Sequence, residues 1–220
     1  MIQDLTVIIP ALNEESTIAE VLAQTLPVTR NIIVVDDGST DDTARIAAAY
    51  TSKGVRLLSK PEREGKGAAI RSALSLVDTP MVALQDADLE YPPENLVSLA
   101  RDTEHMMVIG QRTMLVTDFY RTVPLSSFAA NKIFAHVSGV PDVFSGQRVL
   151  NTRFMRSLNL QSRGFEIETE MTLKALKRKA PIKFIPVDYY PRTKEQGKKI
   201  NFRDFMKIST MYLRLQFSAA

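Results

Sequence analysis

Apolar runs and polar breaks alternate along the first half of the chain. Leu5 to Pro10 is a continuous apolar, β-branched run, as in a strand buried on both faces. Asn13-Glu14-Glu15-Ser16-Thr17 then reads as a helix start, with Ile18, Val21 and Leu22 recurring at helical spacing. Asn31 to Val35 predicts a second buried strand, closed by Asp36-Asp37-Gly38-Ser39. Thr40 to Thr43 opens a helix bearing Ala44, Ile46, Ala47 and Tyr50. Val55 to Leu58 predicts a third strand, Glu64-Gly65-Lys66-Gly67 leads into a helix over Ala68 to Leu76, and Met81 to Leu84 predicts a fourth strand. This alternation predicts an α/β fold: a Rossmann-like, mostly parallel sheet with right-handed crossovers and helices on its faces.

The second half is less regular. Met107 to Gly110 resembles a strand, followed by Gln111-Arg112. Leu125 to Val137 predicts a helix, Phe144 to Leu150 a strand, Phe165 to Lys179 a helix and Ile182 to Val187 a short strand. Arg192 to Asn201 is a polar, glycine-containing loop. Asp204 to Phe217 predicts an amphipathic helix with Phe205, Ile208, Met211, Tyr212 and Leu215 on one stripe. Such a stripe packs on the domain's own sheet or lies on a membrane surface. No repeat or linker interrupts the pattern. A single domain over 1–220 is expected, with a nucleotide-like half to about residue 110 and a more variable half after it.

In open parallel sheets, ligands sit beyond the carboxyl ends of the strands. Asp36-Asp37 and Asp86-Ala87-Asp88 both leave such ends and are expected to face one crevice. Asp86 and Asp88 fall on the same side of an extended segment. Carboxylates leaving a buried strand are costly unless their charge is compensated. A divalent cation shared with a diphosphate would compensate it, because hard cations take oxygen ligands. A solvated turn is the plainer reading of the triplet, and a cap on the following turn is the plainer reading of Asp36-Asp37. Gly65-Lys66-Gly67 is short of a full phosphate loop and reads first as a tight turn for close helix packing, with Lys66 a secondary contact.

Composition narrows the class. The 220 residues are 45% hydrophobic and 24% charged, ordinary for a globular protein with a normal core. There is no cysteine, which excludes disulfides and thiolate metal sites and fits a reducing compartment. Met1-Ile2-Gln3-Asp4 lacks a basic leader, and no apolar run approaches the roughly 20 residues of a membrane span. A cytoplasmic location is expected, at most peripheral on a membrane's cytoplasmic face. The net charge of +3 is mild, and no nucleic-acid partner is expected. Near the C-terminus, however, Arg192, Lys194, Lys198, Lys199, Arg203, Lys207 and Arg214 face only Glu195 and Asp204. Such a run is a solvated face or a patch for phosphate or anionic lipid.

Several groups then occur together and in order. Val7-Ile8-Ile9-Pro10-Ala11-Leu12-Asn13-Glu14, Val34 to Asp41, Gly65 to Ala69 and Asp86-Ala87-Asp88-Leu89 together resemble family 2 inverting glycosyltransferases of the GT-A fold. Phe144 to Arg148 and Gly164 to Glu168 look like the branch of dolichyl- and polyprenyl-phosphate mannosyl- and glucosyltransferases. The resemblance implies a nucleotide-sugar donor, Mg²⁺ or Mn²⁺, and a lipid-phosphate acceptor. It places Pro10, Leu12 and Glu14 around the nucleoside, and Asp36 and Asp41 near base and ribose. Asp37 and Lys66 stand beside them among the substrate-binding residues. Asp86, Asp88 and Glu90 match the metal-binding motif, in which Glu90 stands where Gln is common. Asp88, Arg112 and Arg148 are implied to be catalytic, the arginines near the donor diphosphate or acceptor phosphate. Arg192 and Lys198 or Lys199 match a phosphate-binding loop, without its usual serine and with different spacing.

The acceptor follows from acid–base needs. A hydroxyl acceptor requires a general base. A phosphate monoester, with second pKa about 6, is already anionic at pH 7 and needs cations instead. The branch and the basic loop favour a polyprenyl phosphate. Glu166, Glu168 and Glu170 on one predicted helix keep a hydroxyl acceptor open, although Glu is also common at helix starts. A sugar nucleotidyltransferase lacks support, because no Gly-rich activation loop follows Ile9. A non-catalytic nucleotide-sugar-binding subunit is the remaining alternative.

Overall fold

The computed structural model describes residues 1–113, 139–192 and 202–217. The predicted helix at 125–137 lies outside the described residues, as does all of the 192–201 loop beyond Arg192. The strands are β1 (Leu5–Ala11), β2 (Asn31–Asp36), β3 (Val55–Ser59), β4 (Met81–Leu84), β5 (Met107–Thr113), β6 (Arg148–Asn151) and β7 (Ile182–Asp188). The helices are α1 (Ile18–Thr25), α2 (Thr43–Ala48), α3 (Lys66–Leu74), α4 (Asn95–Leu99), α5 (Thr152–Ser157), α6 (Ile167–Lys177) and α7 (Phe202–Phe217).

The strands form one sheet in the order β3-β2-β1-β4-β6-β5-β7. β1 is parallel to β2 and β4, β2 to β3, and β5 to β7. β6 runs antiparallel between β4 and β5, so the sheet is mixed at its centre. Hydrophobic pattern reports burial and not strand direction, which is why this reversal was not expected.

β1 is central, and its alternation serves both faces. Leu5, Val7 and Ile9 pack with Ile18, Val21 and Leu22 of α1 and with Leu96 and Leu99 of α4. Ile8 turns to the other face, among Ala69, Ile70 and Ala73 of α3 and Ile167 and Met171 of α6. Each such side chain, fully buried, stabilises by about 1.5–3 kcal/mol. A third cluster joins Val140, Val143 and Leu173 to Tyr212, so α7 packs part of its stripe on α6.

Several boundaries move for identifiable reasons. β6 begins at Arg148 and not at Phe144. Gln147 is held aside by its side chain, which donates to Gln85 Oε1 at 2.6 Å and to the Pro92 carbonyl at 3.0 Å. α3 begins at Lys66, two residues before the expected start, because Gly65 occupies its N-cap at φ +105°. A side chain at Gly65 would collide with the Arg163 carbonyl, so α3 enters backbone against backbone. Lys179 at φ +53° ends the α6 segment just before Pro181. The short helices α4 and α5 carry too few turns for helical periodicity to register.

Candidate active site

The carboxyl ends of β1, β2 and β4 lie side by side, and three loops leave them toward the same edge. From β2, Asp36 is buried as the last strand residue. Asp37 accepts from the N–H groups of Glu64 (3.0 Å) and Gly65 (2.7 Å), so its carboxylate fixes the entry to α3. Asp41 accepts from the N–H groups of Glu15 (3.1 Å) and Thr43 (3.0 Å), tying the β1 loop to the β2 loop. Asp37 and Asp41, expected at the substrate, are thus engaged in shaping the pocket wall. Pro10 sits in β1 opposite Val35, Leu12 is half-buried just past the strand, and Glu14 is buried beyond it.

The Asp86–Glu90 segment follows β4. Asp86 Oδ1 lies 2.5 Å from Lys66 Nζ, which also lies 2.6 Å from Glu168 Oε1. Burial acts to lower the Lys66 pKa, and the Asp86 and Glu168 charges more than offset it, leaving the ammonium firmly protonated. Asp88 Oδ2 lies 3.0 Å from Arg192 Nη2, and the same guanidinium holds Glu14 at 3.1 Å. Even so, burial and the neighbouring charges of Asp86 and Glu90 push the Asp88 carboxyl up to about 7. Among the described residues, the carboxylates of Glu14, Asp86, Asp88, Glu90 and Glu168 gather around the cations Lys66 and Arg192.

Glu90 reaches toward the chain that follows β7. Its Oε2 accepts from the Tyr189 hydroxyl at 2.7 Å and its Oε1 from the Arg192 N–H at 2.8 Å. Among the described residues, no three His, Cys, Asp or Glu side chains form a cation cage. Glu90, expected at the metal, instead anchors the chain after β7 in this metal-free arrangement, and so places Arg192 at Asp88.

The two arginines expected at the phosphates differ. Arg112 makes a two-pronged pair with Asp142, Nε and Nη2 each at 2.7 Å, and lies over the Tyr189 ring at 5.4 Å. Arg148 is 0% exposed. Its guanidinium donates to the Ser145 carbonyl and, at 3.1 Å each, to the Glu168 carbonyl and Thr172 Oγ1. A catalytic contact for Arg148 is corrected on this ground: the side chain is sealed in the core between the Ser145 turn and α6. Lys198 and Lys199 lie outside the described residues.

The acidic start of α6 divides its labour. Glu170 accepts from the N–H groups of Gln161 (2.9 Å) and Ser162 (2.8 Å), and pairs with Lys174. Glu166 Oε1 accepts from Gly164 N–H at 3.0 Å, whereas its Oε2 is buried without a hydrogen-bond partner among the described residues. Glu166 lines a cavity of about 340 Å³ with Met206, Lys207, Thr210, Met211 and Arg214 of α7.

Residues missed in the sequence complete the setting. Asp142 orients Arg112, and Tyr91, its ring tilted at 47° to that of Tyr189 with centroids 4.8 Å apart, receives the Gly146 N–H at 3.3 Å. Gly146 abuts Asp86: a Cβ there would stand 2.5 Å from Asp86 Oδ2. The Phe144-Ser145-Gly146-Gln147-Arg148 run marked this turn, but its partners lie far away in sequence.

The glycosyl transferase family 2 model matches residues 6–182. The chain belongs to this family. Its relatives include the glycosyltransferase AglJ of Haloferax volcanii, 31% identical over 84% of this chain and 63% of that protein. The dolichyl-phosphate beta-glucosyltransferase ALG5A of Trichomonas vaginalis is 24% identical over 96% of this chain and 72% of that one. The chain spans 63% and 49% of the lengths of AglJ and of the hexosyltransferase Agl6 of the same archaeon. Among solved structures, glucosyl-3-phosphoglycerate synthase from Mycobacterium tuberculosis, in complex with Mn²⁺, uridine diphosphate and phosphoglyceric acid, superposes with TM-score 0.74. It is 21% identical over 97% of this chain and 77% of that one. The family 2 chain described here shares that fold.

Proposed function

We propose that this chain transfers a hexose, with inversion, from a nucleoside-diphosphate sugar to a polyprenyl phosphate, using a divalent cation at Asp86 and Asp88. The carrying observation is the gathering of Asp86 and Asp88 with Glu90 at the sheet edge beside Lys66 and Arg192, where burial and the like charges push the Asp88 carboxyl up to about 7. Hard oxygen donors and surplus negative charge suit Mg²⁺ or Mn²⁺, and ions of this kind commonly take one or two carboxylates plus substrate phosphates. The Mn²⁺ and Mg²⁺ complexes of the synthase with uridine diphosphate support this choice and favour a uridine donor. When bound, the ion supplies Lewis-acid stabilisation of the departing diphosphate.

This chain's own groups do the rest. Arg192 and Lys66 bring positive charge to the Asp86–Asp88 edge, where the leaving group gains negative charge. Asp37 and Asp41 keep the loops in place around the donor. An acceptor phosphate oxygen attacks the anomeric carbon, and the bonding pair leaves with the nucleoside diphosphate. No base is needed, because the monoester is already anionic. The dolichyl-phosphate relatives support this acceptor. We read residues 1–110 as the donor half and 111–220 as the acceptor half of one domain. The exposed Met206, Lys207 and Arg214 of α7 suit peripheral contact with an anionic membrane. Among the described residues, no helix is long and apolar enough to cross one.

A second reading, a hydroxyl acceptor, has its own support in Glu166. Its Oε2 lacks a hydrogen-bond partner among the described residues, and Glu166 lines a cavity together with Lys207 and Arg214 of α7. The deciding experiment supplies UDP-glucose or GDP-mannose with Mn²⁺. One arm offers a polyprenyl phosphate in phosphatidylcholine vesicles, the other phosphoglyceric acid. Glycolipid formation is expected. Transfer to phosphoglyceric acid alone would favour the second reading, and release of no diphosphate from either donor would refute both.

A further inference from the structure

Lys66 is shared between two carboxylates that belong to different parts of the chain. Its Nζ lies 2.5 Å from Asp86 beside β4 and 2.6 Å from Glu168 in the first turn of α6. The Lys66 side chain is 12% exposed and that of Glu168 5%. Neither partner is free to wander. Asp86 Oδ2 is set against the bare backbone of Gly146. Glu168 belongs to the turn whose carbonyl receives Arg148. The Phe165 ring lies 5.7 Å from the ammonium.

We propose that Glu168 is a positioning residue: it retains Lys66 beside the site when a divalent cation takes over Asp86. This rests on the cation reading given above. Asp86, if it held a cation, would give up its contact with the Lys66 ammonium. An ammonium left buried without a counter-charge is costly, and the cost would be subtracted from cation affinity. Glu168 would reduce that cost, because Lys66 keeps one close counter-charge and does not have to leave. The ammonium then stays next to the carboxylate that meets the diphosphate. Negative charge alone is not sufficient for this role. The carboxylate has to reach Lys66 from α6, and a side chain one C–C bond shorter, by about 1.5 Å, falls short.

E168D keeps the charge and removes the reach, so it separates holding from simple attraction. Free Mn²⁺ is followed by electron paramagnetic resonance on the full chain, with UDP and, separately, with GDP. E168D is expected to weaken Mn²⁺ binding about tenfold. In a K66M background, where there is no ammonium to hold, E168D should change the affinity less than about twofold. A second measurement needs no variant: the Lys66 ammonium proton signal of the unaltered protein should stay protected from exchange when Mg²⁺ and UDP are added. Equal Mn²⁺ affinity with and without E168D would overturn the proposal. So would a loss that persists in K66M, or release of the Lys66 signal. An unaltered protein that binds no Mn²⁺ would overturn the cation reading itself, and the proposal with it.

Discussion

Arg148→Met isolates the buried guanidinium between the Ser145 turn and α6. The methionine fills much of the space but cannot donate. The Glu168 carbonyl retains the Thr172 hydroxyl at 2.9 Å, so its loss is partial. The Ser145 carbonyl loses the guanidinium contact altogether. One orphaned buried acceptor costs about 1–3 kcal/mol, and a hydrogen bond from a charged donor contributes about 1.5–3 kcal/mol. Relief from burying a charge offsets part of this. A net loss of about 3 kcal/mol is expected, or roughly 6–12 °C in Tm for a chain of this size. Urea unfolding followed by circular dichroism measures it, with Arg148→Lys falling between the two. A substrate-contacting arginine behaves differently: its loss lowers turnover and leaves the unfolding midpoint in place. An unchanged midpoint with turnover reduced a hundredfold would refute the sealed-core assignment of Arg148.

Asp88→Asn should abolish Mn²⁺-dependent donor turnover while leaving Tm unchanged or raised, since it removes a carboxylate whose charge the fold disfavours; retained turnover would exclude Asp88 from the reaction. Gly146→Ala should reduce Mn²⁺ affinity, because the added Cβ displaces the Asp86 carboxylate; a titration matching the unaltered protein would refute that close approach. Glu170 has its pKa lowered: burial alone would raise it, but Lys174 and the Ser162 and Gln161 N–H groups prevail. Its contribution is therefore present above the ordinary Glu value of about 4.3 and fades as pH falls below it. Glu170→Gln should be destabilised at pH 7, with the gap to the unaltered protein narrowing as pH falls below about 4.3 in urea unfolding; a pH-independent gap would refute this account.

The N-terminal half of the fold was legible because its patterning is local. β-branched runs gave the parallel strands, and acidic pairs directly after them marked the sheet edge. The second half hid two things. One is direction: Arg148–Asn151 reads as a strand in either orientation, and only its register with β4 and β5 shows the reversal. The other is commitment. Arg112, Arg148 and Glu90 carry the residue types of a phosphate and metal site, yet Asp142, the Ser145 carbonyl and Tyr189 already occupy them. Sequence shows which residues can bind an anion or a cation. It does not show which of them the fold has already used.

The antiparallel β6 also has a consequence for synthesis. β4 is complete once Leu84 has emerged, but its outer neighbour begins only at Arg148. At about 5–20 residues per second, the nascent sheet presents β4 as an unpaired apolar edge for several seconds. Such edges recruit other strands. The four N-terminal strands are thus not a module that can be released early. A chain stopped before Arg148 carries an open edge in place of a sheet centre, and aggregation, not a stable donor-binding fragment, is its expected fate.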